Sequence, residues 1–371
     1  MNSIDTNYRQ EFAKLLREIS IPESDDIQAK SKKYGRLNSY IKGNMPKSLF
    51  RYRTFAPHNI KALRNGYIPV TKPSEMGDIF DSQITVNIEQ VIDDLKKMTS
   101  NTDAIADYLY DGNPIPQYAL NMASRPMRRA VQKSKPFLKK NLQLKSVAEA
   151  VSGFVENNLT QYANEEYGEK TDVLKKTGYI ACFCEDVNRI KMWDSYSEKH
   201  TGYALEYDFE ALNARFHTIE ITNKQSQPDY IVLPVIYGEQ YNSNEIVLHS
   251  LMNRLLREKT IKDAYIKHPD LLWCIKGYLY KSNDYETEAE WRLITPLNGV
   301  KRDSVLYSNV PAEPTAIYYG AEISNEAFQE LDIIAKSKGI KRYRMNIKPS
   351  DMSVEAVELD GNNLSEPSAI L

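Results

Sequence analysis

Glu288, Glu290 and Arg292 stand at alternate positions in the stretch Glu288-Ala289-Glu290-Trp291-Arg292-Leu293-Ile294. Successive side chains of a strand point to opposite faces. As a strand, this run puts two carboxylates and a guanidinium on one side and Ala289, Trp291 and Leu293 on the other. Like charges that close repel, so a strand keeps such a row because water bathes the face or because something bound there requires it. On a solvated face Arg292 pairs with a glutamate and contributes only about 0–1 kcal/mol. In a cleft, two acids with pKa values set apart by their neighbours can do acid–base work or stabilise a developing cation.

Three more stretches carry chemistry. In Phe50-Arg51-Tyr52-Arg53, alternation puts Arg51 and Arg53 on one face and Tyr52 on the other. Paired guanidiniums suit phosphate or carboxylate recognition, because each donates two parallel hydrogen bonds; pairing with carboxylates of the sheet is the plainer use. Asp78 and Asp81 follow Lys72-Pro73-Ser74-Glu75-Met76-Gly77. Two acids within one turn could hold a divalent metal, but the spacing is not that of an EF-hand and no histidine is near, so Asx-turn and capping roles are expected and no metal is assigned. Between Ile190 and Asp208, Met192, Tyr196 and His200 recur at intervals of four beside Trp193, which predicts one helical stripe ended by Gly202. His200 then sits at a helix C-terminus, as a ligand contact or as a packed, capping residue.

The elements that must position these groups are legible as short alternating runs. SLFRYRTF and YIPVT read as strands around a helix, APHNIKALRN, closed by Gly66. GYIACFC, GYALEYDF, YIVLPVIYG, EAEWRLI and AIYYG read as further strands, with helical patterns at EIVLHSLMNRLLREKTIKDAY and NEAFQELDIIAKSKG. Residues 84–176 carry apolar residues at intervals of three and four, as in VIDDLKKM and SVAEAVSGFVENNL, and read as a helical insertion. Strands and helices lack a βαβ rhythm, so the expected class is α+β around a mostly antiparallel sheet. The expected organisation is an N-terminal helical arm over 1–45, one domain over 46–348 containing the insertion, and a partly mobile tail over 349–371.

Composition excludes some partners. Of 371 residues, 42% are hydrophobic and 26% charged, and the formal charge is −2, which offers no bulk attraction to nucleic acid or to an anionic membrane. The start MNSIDTNYRQEF has no basic segment followed by an apolar one, and runs such as IVLPVIYG fall short of the roughly 18 apolar residues of a spanning helix. The expectation is a cytoplasmic protein without membrane association. Cys182, Cys184 and Cys274 form no CxxC pair and are expected as buried free thiols. The 25 tyrosines gather in blocks such as FRYRTF, YLYKSNDY and IYYG, suited to packing at the rim of a core or to stacking a planar ligand.

Taken in order, Arg51-Tyr52-Arg53, the loop Val70 to Asp81, Cys182-Phe183-Cys184-Glu185, Met192 to Asp208, and Glu288 to Ile294 resemble the motifs of a family of bacterial proteins described only as a domain of unknown function, number 2971. Its members carry patterns like (K/R)-Y-R, FSSPSDFNDPFD, CFSE, MWxxYAxxHxGxxxxFD and ExE(W/Y)RLI. The resemblance spans Pro46 to Ile294. Gly77 and Ile79 stand where the family has Asn and Pro, so no role of that asparagine carries over.

More remotely, a basic first strand, a middle motif at a strand–helix junction and a late strand bearing ExE resemble the three-part signature of ADP-ribosyltransferases. That resemblance implies an ADP-ribosyltransferase-like sheet with NAD as substrate. Arg51 or Arg53, flanking Tyr52, would hold the pyrophosphate, Trp193 and Tyr196 would flank the nicotinamide near His200, Glu290 would be catalytic, and Glu288 would assist the acceptor. Breaking the ribose–nicotinamide bond develops positive charge on the sugar, which a fixed carboxylate in a water-poor cleft stabilises. The implied function is an NAD-dependent ADP-ribosyltransferase-like or NAD-cleaving enzyme, in a toxin or phage-defence role, with a macromolecular acceptor and a neutralising protein partner. The alternatives are a non-catalytic module that binds a nucleotide or a protein, and a metal-dependent nuclease or phosphohydrolase in which Asp78, Asp81, Glu288 and Glu290 converge on magnesium.

Overall fold

The computed structural model describes residues 7–22, 24–78, 80–99, 142–209, 230–255, 270–295 and 309–359. Helices α1 (Asn7–Glu18) and α2 (Ile27–Asn44) come first. The spacing of Phe12, Leu16 and Ile19 puts them on one helical face, and that face is buried in the main core. The segment expected as an arm is therefore part of the core wall. Strand β1 (Leu49–Arg53), helix α3 (Pro57–Asn65) and strand β2 (Tyr67–Pro69) follow as the sequence predicts, and α3 ends at Gly66.

The remaining strands are β3 (Tyr179–Cys184), β4 (Tyr203–Tyr207), β5 (Ile231–Pro234), β6 (Ile236–Tyr237), β7 (Tyr280–Lys281), β8 (Glu290–Thr295), β9 (Asn309–Pro311), β10 (Ala316–Tyr319), β11 (Lys341–Lys348) and β12 (Ser353–Glu358). Eight of the strands form one sheet in the order β12-β11-β10-β4-β1-β3-β8-β5. Every pairing in it is antiparallel except β10 with β11. The expected α+β class with a mostly antiparallel sheet is the observed one. Part of the stretch read as a mobile tail is β12, which closes that edge of the sheet; residues 360–371 lie outside the described residues.

Both faces of the sheet are covered. Leu49, Phe183, Tyr203, Leu205, Tyr207, Trp291, Leu293, Ile317 and Tyr319 look into the main core. Phe50, Tyr52, Cys184, Ala204, Ala316 and Tyr318 form a second cluster on the other face, under Met192 and Trp193 of helix α6 (Ile190–Tyr196). The region read as an insertion contains helices α4 (Ile88–Thr99) and α5 (Leu142–Thr177), while residues 100–141 lie outside the described residues. With helix α7 (Asn244–Leu255) these helices close a third cluster around Val91, Leu95, Leu159, Ala163, Val247 and Leu251. Two further helices are α8 (Trp273–Gly277) and α9 (Asn325–Lys338), the latter joining the parallel strands β10 and β11. Among the described residues, no helix is long and apolar enough to cross a membrane.

One irregularity matters for function. β1 and β3 are paired only at Phe50 opposite Cys184. Farther along, β3 bonds instead to Thr71: the Thr71 N–H donates to the Ile180 carbonyl at 2.9 Å and the Ile180 N–H to the Thr71 carbonyl at 2.8 Å. Between these two points the central strands separate.

Candidate functional site

A cavity of about 310 Å³ occupies that separation, at the lower end of the about 300–1,000 Å³ typical of small-molecule sites. Residues 50–53 of β1 and 180–183 of β3 form its sides, and the loop residues Thr71, Glu75, Met76, Gly77, Asp78 and Asp81 form one end. Met192, Tyr196, Lys281, Glu288 and Glu290 complete it. Strand alternation and register put Arg51 and Arg53 on the face of Phe183, and Glu290 on the face of Cys184 and Phe50. In an unbroken sheet these groups would never meet; the gap lets one cavity border both faces.

The acids belong to a buried ionic chain. Arg292 donates from Nη1 and Nη2 to the two oxygens of Asp81, at 2.7 and 2.6 Å, and from Nε to Glu290 Oε1 at 2.7 Å. Lys281 Nζ bridges Glu290 Oε2 at 2.9 Å and Glu288 Oε2 at 2.6 Å. Tyr196 donates its hydroxyl to Glu288 Oε1 at 2.7 Å. All five charged residues are buried, with three carboxylates against two cations. Burial alone would raise the Glu290 pKa, but Arg292 and Lys281 outweigh it and pull it down to about 2, helped by a hydrogen bond from the Cys182 thiol. Burial would likewise lower the Lys281 pKa, and Glu290 and Glu288 more than reverse it. The Tyr196 hydroxyl is pushed up by burial and by Glu288, so it stays a donor.

These shifts set a pH dependence. A glutamate depressed on folding adds stability that is fully present above its ordinary pKa of 4.5 and lost as pH falls toward about 2. The protein is expected to lose on the order of a few kcal/mol across that window, and Glu290→Gln is expected to flatten the loss in urea melts at pH 5 and pH 3. Equal slopes in both proteins would show that Glu290 is not held ionised by the chain.

The strand expected to carry both glutamates begins only at Glu290. Glu288 ends a 3-10 turn (Asn283–Glu288), and Ala289 adopts the left-handed conformation at φ 44°. That break, rather than alternation, brings Glu288 beside Glu290 on Lys281. Arg292 is paired to a glutamate, as in the plainer reading, but in the interior rather than in solvent. The second clamp comes from α1: Arg9 Nη1 donates to the carbonyl oxygens of Glu290 at 2.9 Å and Val235 at 2.7 Å, and Arg9 also pairs with Glu185. Tyr237 accepts the Glu290 N–H at 2.7 Å. Arg9, Tyr237 and Lys281 were not singled out in the sequence, and only the tyrosine block around Lys281 hinted at the last.

Arg51, Tyr52 and Arg53 border the cavity with Tyr196, Glu288 and Glu290. Tyr52 sits edge-on against Trp193 with ring centroids 5.0 Å apart and donates to the Asp186 carbonyl. Arg51 donates to the Pro69 carbonyl at 2.6 Å, and burial lowers the Arg53 guanidinium pKa, against Tyr203 and Tyr207. Among the described residues, no carboxylate forms an ion pair with either arginine. Trp193 and His200 do not line the cavity: Trp193 is fully buried, donates to the Val187 carbonyl at 2.7 Å and stacks on His200 with centroids 6.0 Å apart.

The predicted stripe through His200 is broken because α6 stops at Tyr196. Glu198, Lys199 and His200 then take left-handed backbone, at φ 49°, 54° and 67°, which costs about 1–2 kcal/mol each for L-residues. The reversal is held by the Gly202 N–H on the Ser197 carbonyl at 2.8 Å, Ser197 Oγ on the Trp193 carbonyl at 2.6 Å, and the Glu322 N–H on the His200 carbonyl at 3.0 Å. A Cβ at Gly202 would overlap the Arg53 carbonyl, so the motif presses directly on the cavity strand. His200 is thus a packing residue of this reversal, with Asp194 3.3 Å from its Nε2.

Asp78 closes an Asx turn onto the Phe80 N–H at 2.9 Å, as expected. The convergence of acids on magnesium meets a physical obstacle, because Arg292 and Lys281 already stand between Asp81, Glu290 and Glu288. Among the described residues, no group of His, Cys, Asp and Glu is arranged to hold a metal ion. Comparison with curated proteins and with solved structures finds no match. Residues 192–293, which run from the start of the Trp193 motif into the ExE strand, match the model of a family described as a protein of unknown function (DUF2971), in line with the resemblance of the motifs to that family.

Proposed function

We propose that the cavity binds NAD or a closely related nucleotide and that the protein cleaves NAD or transfers its ADP-ribose. The observation that carries this reading is the convergence of two arginines, free of carboxylate partners among the described residues, with Tyr196, Glu288 and Glu290 around one cavity. Unpaired guanidiniums in a partly desolvated wall attract a phosphate, to which each can donate in bidentate fashion. Across the cavity, the ionic chain carries one negative charge in excess, as stabilisation of a cationic sugar requires. Such an enzyme would consume a central metabolite of its own cell, which fits a toxin or phage-defence role restrained by a partner.

One observation favours the non-catalytic alternative: both Glu290 oxygens are already engaged by Arg292 and Lys281. A carboxylate so neutralised has less field to offer a transition state. The two readings separate on turnover. Incubated with NAD, the purified protein is expected to release nicotinamide, and Arg51→Met is expected to raise KM about 10- to 100-fold. Saturable NAD binding without nicotinamide release or label transfer to DNA, RNA or lysate protein would leave only the binding module.

A further inference from the structure

Two polar atoms in the cavity wall end on nothing. Arg51 is 6% exposed; its Nη2 is used by Pro69 and its guanidinium lies 5.6 Å from the centre of the Phe183 ring. Its Nη1 is buried without a hydrogen-bond partner. Asp78 spends Oδ1 on the Phe80 N–H, while Oδ2 is buried without a partner. Of the described residues that border the cavity, only these two carry such atoms. A buried polar group left without a partner is costly, and more so when charged, so a pair at one cavity points to a ligand that completes both.

The two atoms are opposite in kind. Arg51 lacks an acceptor and Asp78 lacks a donor, yet no ion pair joins them. A single molecule that completes both must present an anionic oxygen and, elsewhere on itself, an O–H or N–H. A phosphate group without an O–H of its own, such as the internal pyrophosphate of a dinucleotide, serves only the arginine. A phosphorylated sugar serves both.

We propose that Arg51 and Asp78 together read the ribose-phosphate portion of the nucleotide, Arg51 taking a phosphate oxygen and Asp78 accepting a ribose hydroxyl; this rests on the reading of the cavity as a nucleotide site. Asp78 is then a specificity-determining residue. A site built to accept a substrate hydroxyl discriminates strongly against the analogue that lacks it, because its own polar group is left unpaired. Its negative charge also repels a phosphate placed on that hydroxyl.

Asp78→Asn is the sharpest test, since Asn keeps the Asx turn through Oδ1 and presents an N–H₂ group where Oδ2 stood. The full chain is titrated calorimetrically with NAD, AMP and nicotinamide mononucleotide, and with the 2′-deoxy and 3′-deoxy forms of the mononucleotides. Wild type is expected to bind at least one ribose form about tenfold or more tightly than its deoxy counterpart. Asp78→Asn is expected to weaken the ribose form several-fold more than the deoxy form and so to shrink that difference, and Arg51→Met to weaken ribose and deoxy forms alike. Indifference of wild type to the hydroxyls, which needs no variant to fold, overturns the proposal, as does an equal loss for both forms in Asp78→Asn. Discriminating binding without NAD turnover removes the cleavage reading alone; turnover with unchanged discrimination in Asp78→Asn removes this one alone; no binding of any of these ligands removes both.

Discussion

Arg292→Met is expected to destabilise the protein by about 3–5 kcal/mol, the cost of leaving buried charge without its counter-ion. Arg292 is fully buried and, among the described residues, is the sole ionic link between Asp81 and Glu290. It also donates to the Tyr278 carbonyl at 2.6 Å. Its removal leaves Asp81 with the Ser82 hydroxyl, at 2.7 Å, but no cation, and halves the cationic support of Glu290; methionine fills much of the volume without replacing a single donor. Since domains are stable by only about 5–15 kcal/mol, the urea midpoint should fall steeply. Adding Asp81→Asn should recover part of the loss, because the stranded charge is then gone. A single variant within about 1 kcal/mol of wild type, with no gain from the second change, would show that the chain Asp81–Arg292–Glu290–Lys281 is not formed in the folded protein.

Glu290→Gln is expected to lower the rate of nicotinamide release about 100- to 1,000-fold, the usual effect of removing one preorganised electrostatic contact in a site of this class. Its structural cost should stay within the few kcal/mol that the ionised carboxylate contributes, so the variant still folds. Each cation keeps a carboxylate, Arg292 through both oxygens of Asp81 and Lys281 through Glu288, and the glutamine carbonyl can still accept from Arg292 Nε. Rate and stability therefore part company in this variant, as measured by nicotinamide release at saturating NAD beside a thermal melt. Full activity in a folded Glu290→Gln protein would remove Glu290 from the chemistry and shift attention to Glu288, which carries the excess charge.

Much of the fold is readable where local chemistry and tertiary structure agree. β1, α3 and β2 follow from alternation and from Gly66, and the antiparallel character follows from the missing βαβ rhythm. The grouping of Arg51, Arg53, Tyr196, Glu288 and Glu290 around one cavity was implied only by the remote resemblance to ADP-ribosyltransferases, since spacing alone did not bring them together. What was not readable has identifiable causes. Ala289 is an ordinary strand or helix residue by type, and nothing marks it for φ 44°, so alternation was carried one residue too far. Glu198, Lys199 and His200 leave the right-handed region without a glycine among them, because the hydrogen bonds that hold them come from Trp193, Ser197 and the distant Glu322. The salt bridge from Arg292 to Asp81 joins residues 211 positions apart, and a contact of that span leaves no trace in local pattern. The α1 helix has the amphipathic spacing of a surface arm, but burial of Arg9 against the Glu290 carbonyl depends on where the sheet lies.

The separation of β1 from β3 gives the cavity something no side chain supplies. Past Phe50, β1 keeps its ladder to β4 but, among the described residues, has no strand on its other flank, so peptide groups in mid-sheet lie along the void. Peptide N–H and C=O groups are the same whatever the residue type. A guest lying there would be gripped as a strand grips its neighbour, and drift in the surrounding side chains would change what is preferred long before it changed whether anything is held.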